Sequence, residues 1–208
     1  MSRKIYDISP PITEDYAVFP GDTPFKMTEL MSIAGGSHLD LCTINTTTHL
    51  GAHTDAPRHY AADGSGMGSV ELNTYLGTCQ VIEVKTKKGA RITSSDFDDA
   101  IKATRVLFKT NSVADHNTWE SNFTALSPEL IEFLASKNVI LVGIDTPSVD
   151  LSTAKEMIAH LAISKANMAI LEGVDLRKIN PGLFELIALP LNITHADASP
   201  VRAILREL

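Results

Sequence analysis

The chain is 208 residues long, 44% apolar and 21% charged, which fits a globular domain with a sizeable core and excludes a disordered or low-complexity polypeptide. Its formal net charge of −7 disfavours a nucleic-acid partner, whose phosphates need a face rich in lysine and arginine. No apolar run approaches the roughly 18 residues of a membrane span, and the opening Met-Ser-Arg-Lys-Ile-Tyr-Asp lacks the apolar core of a signal peptide, so a cytoplasmic protein with no membrane partner is expected.

Residues 1–36 are dense in turn formers (Pro10-Pro11, Pro20-Gly21-Asp22, Thr23-Pro24, Gly35-Gly36) and read as an extended, proline-rich arm. Leu39 to Asn45 alternates apolar and polar residues, the pattern of a half-buried strand. Gly64-Ser65-Gly66-Met67-Gly68 has no lysine and serine or threonine after it, so it reads as a mobile loop and not a phosphate cradle. Thr78–Val84 and Arg105–Thr110 are strand candidates around a solvated Lys85, Lys87, Lys88 turn. Between them Ser94-Ser95-Asp96-Phe97, followed by Ala100, Ile101 and Ala103, predicts a capped helix. A second helix opens at Ser127-Pro128-Glu129, with Leu130, Phe133 and Leu134 as its apolar stripe. Val139–Ile144 is a continuous apolar run expected of a strand buried on both faces. Ser152–Ser164 reads as a helix carrying His160, Met168–Leu171 as a buried strand ending at Glu172, and Glu185–Leu191 as a last strand. Strands alternating with helices predict an α/β fold in one domain. Cys42 and Cys79 lie in expected strands without CxxC spacing and read as buried thiols in a reducing compartment, a single disulfide being the alternative.

Chemistry concentrates in residues 49–59, His-Leu-Gly-Ala-His-Thr-Asp-Ala-Pro-Arg-His. Imidazole and carboxylate are the usual donors to zinc, manganese or iron, and such a set with an open position activates water near neutral pH. Gly51 and Pro57 argue against one continuous helix, since they cost about 1 and about 3 kcal/mol in a helix interior. On extended backbone His53 and Asp55 project to the same side and can share a metal with His49. His59 is open to two readings, fourth ligand or general acid/base, its unperturbed pKa of about 6.5 suiting the second. Asp55 could bridge to a second ion if distant ligands arrive, and His160 and Glu172 are the candidates. No Gly-x-Ser-x-Gly elbow or cysteine nucleophile accompanies the cluster. His38, His116 and His195 have no partner spacing and read as structural or exposed.

The His49–His59 stretch resembles the HxGxHxDxPxH signature of the cyclase-like metal-dependent hydrolases. Tyr6-Asp7-Ile8-Ser9, Pro20-Gly21-Asp22-Thr23-Pro24-Phe25, Gly143-Ile144-Asp145-Thr146-Pro147-Ser148, Ala169-Ile170-Leu171-Glu172-Gly173 and Asp197-Ala198-Ser199-Pro200-Val201-Arg202-Ala203 extend the likeness nearly end to end, toward the bacterial kynurenine formamidases (arylformamidases). The resemblance implies a central barrel-like mixed sheet flanked by helices, homodimers with the arm contributing across the interface, and hydrolysis of N-formyl-L-kynurenine to L-kynurenine and formate in tryptophan degradation. It further implies one zinc on His49, His53 and Asp55, a second on Asp55, His160 and Glu172, manganese being possible, and His59 as proton carrier. Phe19 stands where the formamidases typically have Trp before Pro-Gly-Asp, which keeps an aromatic face for substrate but loses the indole N–H. That change admits an alternative substrate, a related cyclic or aryl amide as in the isatin hydrolases of the same superfamily. A metal-binding member without catalysis is the third reading. Thr48 replaces a proline often found before the first His, with no consequence read from it.

Overall fold

The computed structural model describes residues 3–208. In chain order the strands are β1 (Ile5–Asp7), β2 (Lys26–Met31), β3 (Leu41–Asn45), β4 (His53–Asp55), β5 (Leu76–Glu83), β6 (Arg91–Ile92), β7 (Arg105–Lys109), β8 (Ala125–Leu126), β9 (Leu141–Ile144), β10 (Ala169–Glu172), β11 (Gly182–Ile187), β12 (Ala198–Pro200) and β13 (Ile204–Arg206); the helices are α1 (Pro128–Ser136) and α2 (Ile158–Lys165). Nine strands form one curled mixed sheet in the order β1-β13-β11-β5-β7-β9-β10-β4-β12. The central β5, β7, β9 and β10 run parallel, and the flanking strands are antiparallel. The expected α/β fold with a barrel-like sheet is therefore observed.

Parallel strands are covered on both faces, so their sequences are apolar without alternation, and each residue chooses a core by its parity. On β7, Val106 and Phe108 face the helices and Leu107 faces the second core on the other side; on β9, Val142 and Ile144 oppose Leu141. Gly143 shares the parity of Leu141, and any side chain there would run into Leu107 and the Leu171 carbonyl. The two helices pack on the first of these faces through Leu130, Ile131 and Leu134 of α1 and Ala159 and Ile163 of α2. Ser127 caps α1 by accepting from the Leu130 N–H at 3.1 Å, and Pro128 occupies its first position. Both helices end on a left-handed asparagine, Asn138 and Asn167, before turning into a strand.

Several expectations are corrected. No helix forms over 94–103: Asp96 bonds back to the Thr93 N–H and hydroxyl, and the buried Gln80 amide pins the segment by donating to Ala100 O and accepting from Lys102 N. Those bonds replace the helical ladder, while Phe97 and Ile101 still pack against the core. The helix predicted from Ser152 starts only at Ile158. Parts of the arm are built into sheets: β1 pairs with β13 at the sheet edge and β2 pairs with β3 in a separate hairpin. That hairpin stands apart from the large sheet, so β3 is exposed rather than half-buried, and Cys42 with it. Cys79 is buried and both thiols are free. The Gly64–Gly68 segment is packed rather than loose: Gly66 and Gly68 leave no room for a side chain against Thr194 and His195, and Met67 N bonds Ala196 O. No helix of the described residues is long and apolar enough to cross a membrane.

Candidate metal centre

β4 lies between β10 and β12, and its register sets the site. His53 pairs with Glu172 and Asp55 with Ile170, so His53, Asp55 and Glu172 project from the same face. That is the face on which α2 packs, bringing His160 from the helix onto the strand residues. Thr54, of opposite parity, points the other way and donates to Ile170 O at 2.6 Å. His49 reaches in from the segment before β4 and His59 from the single helical turn Pro57–His59 after it.

The side chains converge on Asp55. His49 Nδ1 lies 3.1 Å and His53 Nε2 3.7 Å from Asp55 Oδ1, and His160 Nε2 lies 3.4 Å from Asp55 Oδ2. Glu172 closes the other side, 3.0 Å from His53 Nε2 and 3.7 Å from His160 Nε2. Each of these three imidazoles has its outward nitrogen beside an acceptor. His53 Nδ1 donates to Gly51 O (3.0 Å), His160 Nδ1 to Asp150 (2.8 Å), and His49 Nε2 faces Asp197 at 3.4 Å. A proton on the outward nitrogen leaves a bare lone pair on the inward one, the arrangement by which proteins orient metal-ligating histidines. His53 Nε2 and both Asp55 oxygens are buried with no hydrogen-bond partner. Orphaned donors of this kind are costly unless a cation satisfies them, so the set fits a metal.

Without a cation, protons supply the compensating charge. Burial lowers His49 and His160, but Asp55 for His49, and Asp150 with Asp55 for His160, outweigh it and push them up to about 9 and about 10. Burial raises the Asp55 carboxyl, and the same imidazoles hold it well below the usual carboxylate range. Metal and proton therefore compete for the same nitrogens. His59 differs: burial is the dominant influence and holds it below its ordinary value, so it is neutral near pH 7.

All five expected ligands, His49, His53, Asp55, His160 and Glu172, come together, and His59 stands beside them, its ring centroid 4.3 Å from that of His49 and 5.7 Å from that of His160. Two carboxylates that sequence reasoning missed complete the arrangement. Asp197 takes a hydrogen bond from Thr48 Oγ1 at 2.8 Å and lies 3.8 Å from His59 Nδ1, so Thr48 does have a consequence. Asp150 accepts from the N–H groups of Ala159 and His160 and pairs with Arg91 at 2.7 Å. It caps α2 from outside the helix and fixes the His160 ring in one stroke. His116 stacks on Tyr16, with ring centroids 6.0 Å apart.

The ligands open into a cavity of about 570 Å³ whose rim is the Tyr16–Asp22 stretch of the arm and whose wall carries Trp119 and Phe123. Phe19 lines it, packed edge-on to Trp119 with centroids 5.4 Å apart. Trp119, the only tryptophan of the chain, thus places an indole in this cavity beside Phe19.

A family model described as "Putative cyclase" matches residues 6–151, well over half of the chain and including the whole His49–His59 cluster. The chain belongs to this cyclase family. Among solved structures it is similar to one described as a potential metal-dependent hydrolase with cyclase activity, at 26% identity and a TM-score of 0.84 over 100% of this chain and 99% of that one. A predicted metal-dependent hydrolase from Bacillus stearothermophilus is similar at 25% identity, TM-score 0.84, with 100% of both chains covered. Isatin hydrolase A from Labrenzia aggregata shares the fold at 21% identity and a TM-score of 0.82, covering 99% of this chain and 94% of that one. Groups of His and carboxylate side chains in this cluster, His49 with His53 and Asp55 among them, stand close enough together to hold a metal ion.

Proposed function

We propose that the protein is an arylformamidase, hydrolysing N-formyl-L-kynurenine to L-kynurenine and formate with two zinc ions, manganese being the alternative metal. The observation that carries this reading is the set of orphaned buried donors, His53 Nε2 and both Asp55 oxygens, beside histidines that line a cavity with aromatic rings in its wall. His49, His53 and Asp55 would hold one ion, and Asp55, His160 and Glu172 the other. Bound metal supplies Lewis acidity toward a carbonyl oxygen and makes water a nucleophile at neutral pH.

The remaining work falls to the chain itself. Neutral His59 takes the proton of the attacking water and delivers it to the aniline nitrogen as the C–N bond breaks. Asp197 faces it and keeps the ring from turning away. Phe19 and Trp119 offer the substrate's ring an edge-and-face pair, a contact worth about 0.5–1.5 kcal/mol beyond area burial. The chain is further proposed to work as a homodimer. β2 and β3 form an isolated two-stranded ribbon exposing Met27, Leu30, Leu41 and Ile44, and such ribbons are marginal in water without cover. Two free cysteines agree with a reducing cytoplasmic setting.

The test is initial rates of metal-loaded protein on N-formyl-L-kynurenine and on isatin. A clear preference for the formamide is expected; a large preference for isatin would replace the substrate assignment and keep the hydrolase.

A further inference from the structure

The cavity has an unusual charge inventory. Among the described residues no basic side chain but the histidines lines it, and its acidic lining residues are Asp22, Asp150 and Glu172. Asp150 is neutralised by Arg91 and His160, and Glu172 faces His53 and His160 and accepts from Val149 N at 2.6 Å. Asp22 has no such partner. Among the described residues its carboxylate forms no ion pair and takes one hydrogen bond, from the adjacent Thr23 N–H to Oδ1 at 2.7 Å, leaving Oδ2 uncommitted. Around it the rim is aromatic: Tyr16, Phe19 and Trp119 line the same cavity. Burial pushes Tyr16 up to about 12, so the phenol stays neutral and Asp22 is the one free anion there.

A half-buried carboxylate with an uncommitted oxygen, in a cavity with aromatic side chains in its lining, recognises a cation through a charge-assisted hydrogen bond. An arginine or lysine that would receive a carboxylate is missing from the same wall. We infer that Asp22 is a specificity-determining residue that binds a primary ammonium group of the substrate at the cavity rim, while a substrate carboxylate is left toward solvent. The inference rests on the aryl formamide reading and names which end of the amino acid is held. Gly21, at φ +95°, sets the turn that presents Asp22, because left-handed backbone at that angle favours glycine.

The experiment compares wild type with Asp22→Asn, which keeps the acceptor for Thr23 N–H and removes only the charge. Rates are measured on N-formyl-L-kynurenine and on formanilide, which has no ammonium group. The substitution is expected to lower the kcat/KM ratio of the first substrate over the second about tenfold, through KM, the lower end for a hydrogen bond to a charged group. Asp22→Glu should restore part of that ratio. Binding is read separately from quenching of Trp119 fluorescence by L-kynurenine and by 4-(2-aminophenyl)-4-oxobutanoate, its counterpart without the amino group. Wild type should prefer L-kynurenine about tenfold and Asp22→Asn should not. If wild type cleaves neither formamide, the functional reading fails while the binding comparison still judges the ammonium site. Equal binding of the two ligands by wild type, or an unchanged ratio in Asp22→Asn, overturns the inference.

Discussion

Replacing Asp150 by Asn tests whether one carboxylate both caps α2 and aims His160. Asp150 is buried and accepts four interactions: the Arg91 guanidinium, the N–H groups of Ala159 and His160, and His160 Nδ1. Loss of a helix cap costs about 1 kcal/mol, and breaking a buried ion pair by removing one partner costs about 3–5. Arg91 keeps a second partner in the Leu126 carbonyl and is partly exposed, and Asn retains one acceptor oxygen, so about 3 kcal/mol in total is expected. Urea denaturation of the metal-free variant reads that number. The amide can also turn its NH₂ toward His160 Nδ1, which would shift the ring proton to Nε2 and block the lone pair aimed at Asp55 and Glu172. Metal affinity by calorimetry on the folded variant should then fall about 10–100-fold. A variant that loses the expected stability but binds metal as wild type does would refute the claim that Asp150 sets the His160 tautomer.

His59→Ala should keep its metal content by elemental analysis and lose about 10²–10⁴-fold in kcat, the range for a general acid/base; full activity would remove His59 from the chemistry. Gly173→Ala places a Cβ at φ +66° against the Gly51 carbonyl, the acceptor of His53 Nδ1, so more than about 2 kcal/mol of stability should be lost by thermal or urea unfolding, together with metal affinity. For pH dependence, burial holds His116 below its ordinary value, so the unfolded chain binds this proton more readily. Its share of stability is complete above about pH 6.5 and is lost as pH falls through the folded value. Urea midpoints between pH 5 and 7.5 should accordingly fall less steeply with acid in His116→Gln than in wild type.

How much of this was legible in the sequence depended on whether a residue's role was local. The His49–His59 cluster announces itself because its ligands share one strand and its flanks, and β10 was legible as an apolar run ending in Glu172. α1 carries its own cap at Ser127 and its own proline, so its start was readable to the residue. α2 does not: its cap comes from Asp150, eight residues upstream of Ile158, and the hydroxyl-rich Ser152-Thr153 stretch misplaced the start. The segment 94–103 has helical spacing, yet the Gln80 side chain outcompetes the ladder from another strand. Asp197 lies 148 positions from His49, and only the sheet order that puts β12 beside β4 brings it to the site. The exposure of β3 likewise follows from the hairpin leaving the sheet, which its alternating pattern does not encode.

The most direct test of the central claim is the hydrolysis rate of N-formyl-L-kynurenine, followed by the absorbance of kynurenine, for metal-stripped protein before and after addition of zinc or manganese. A rate absent from the stripped protein and restored by stoichiometric metal is the predicted result. Folded, metal-replete protein that leaves the formamide intact would contradict it.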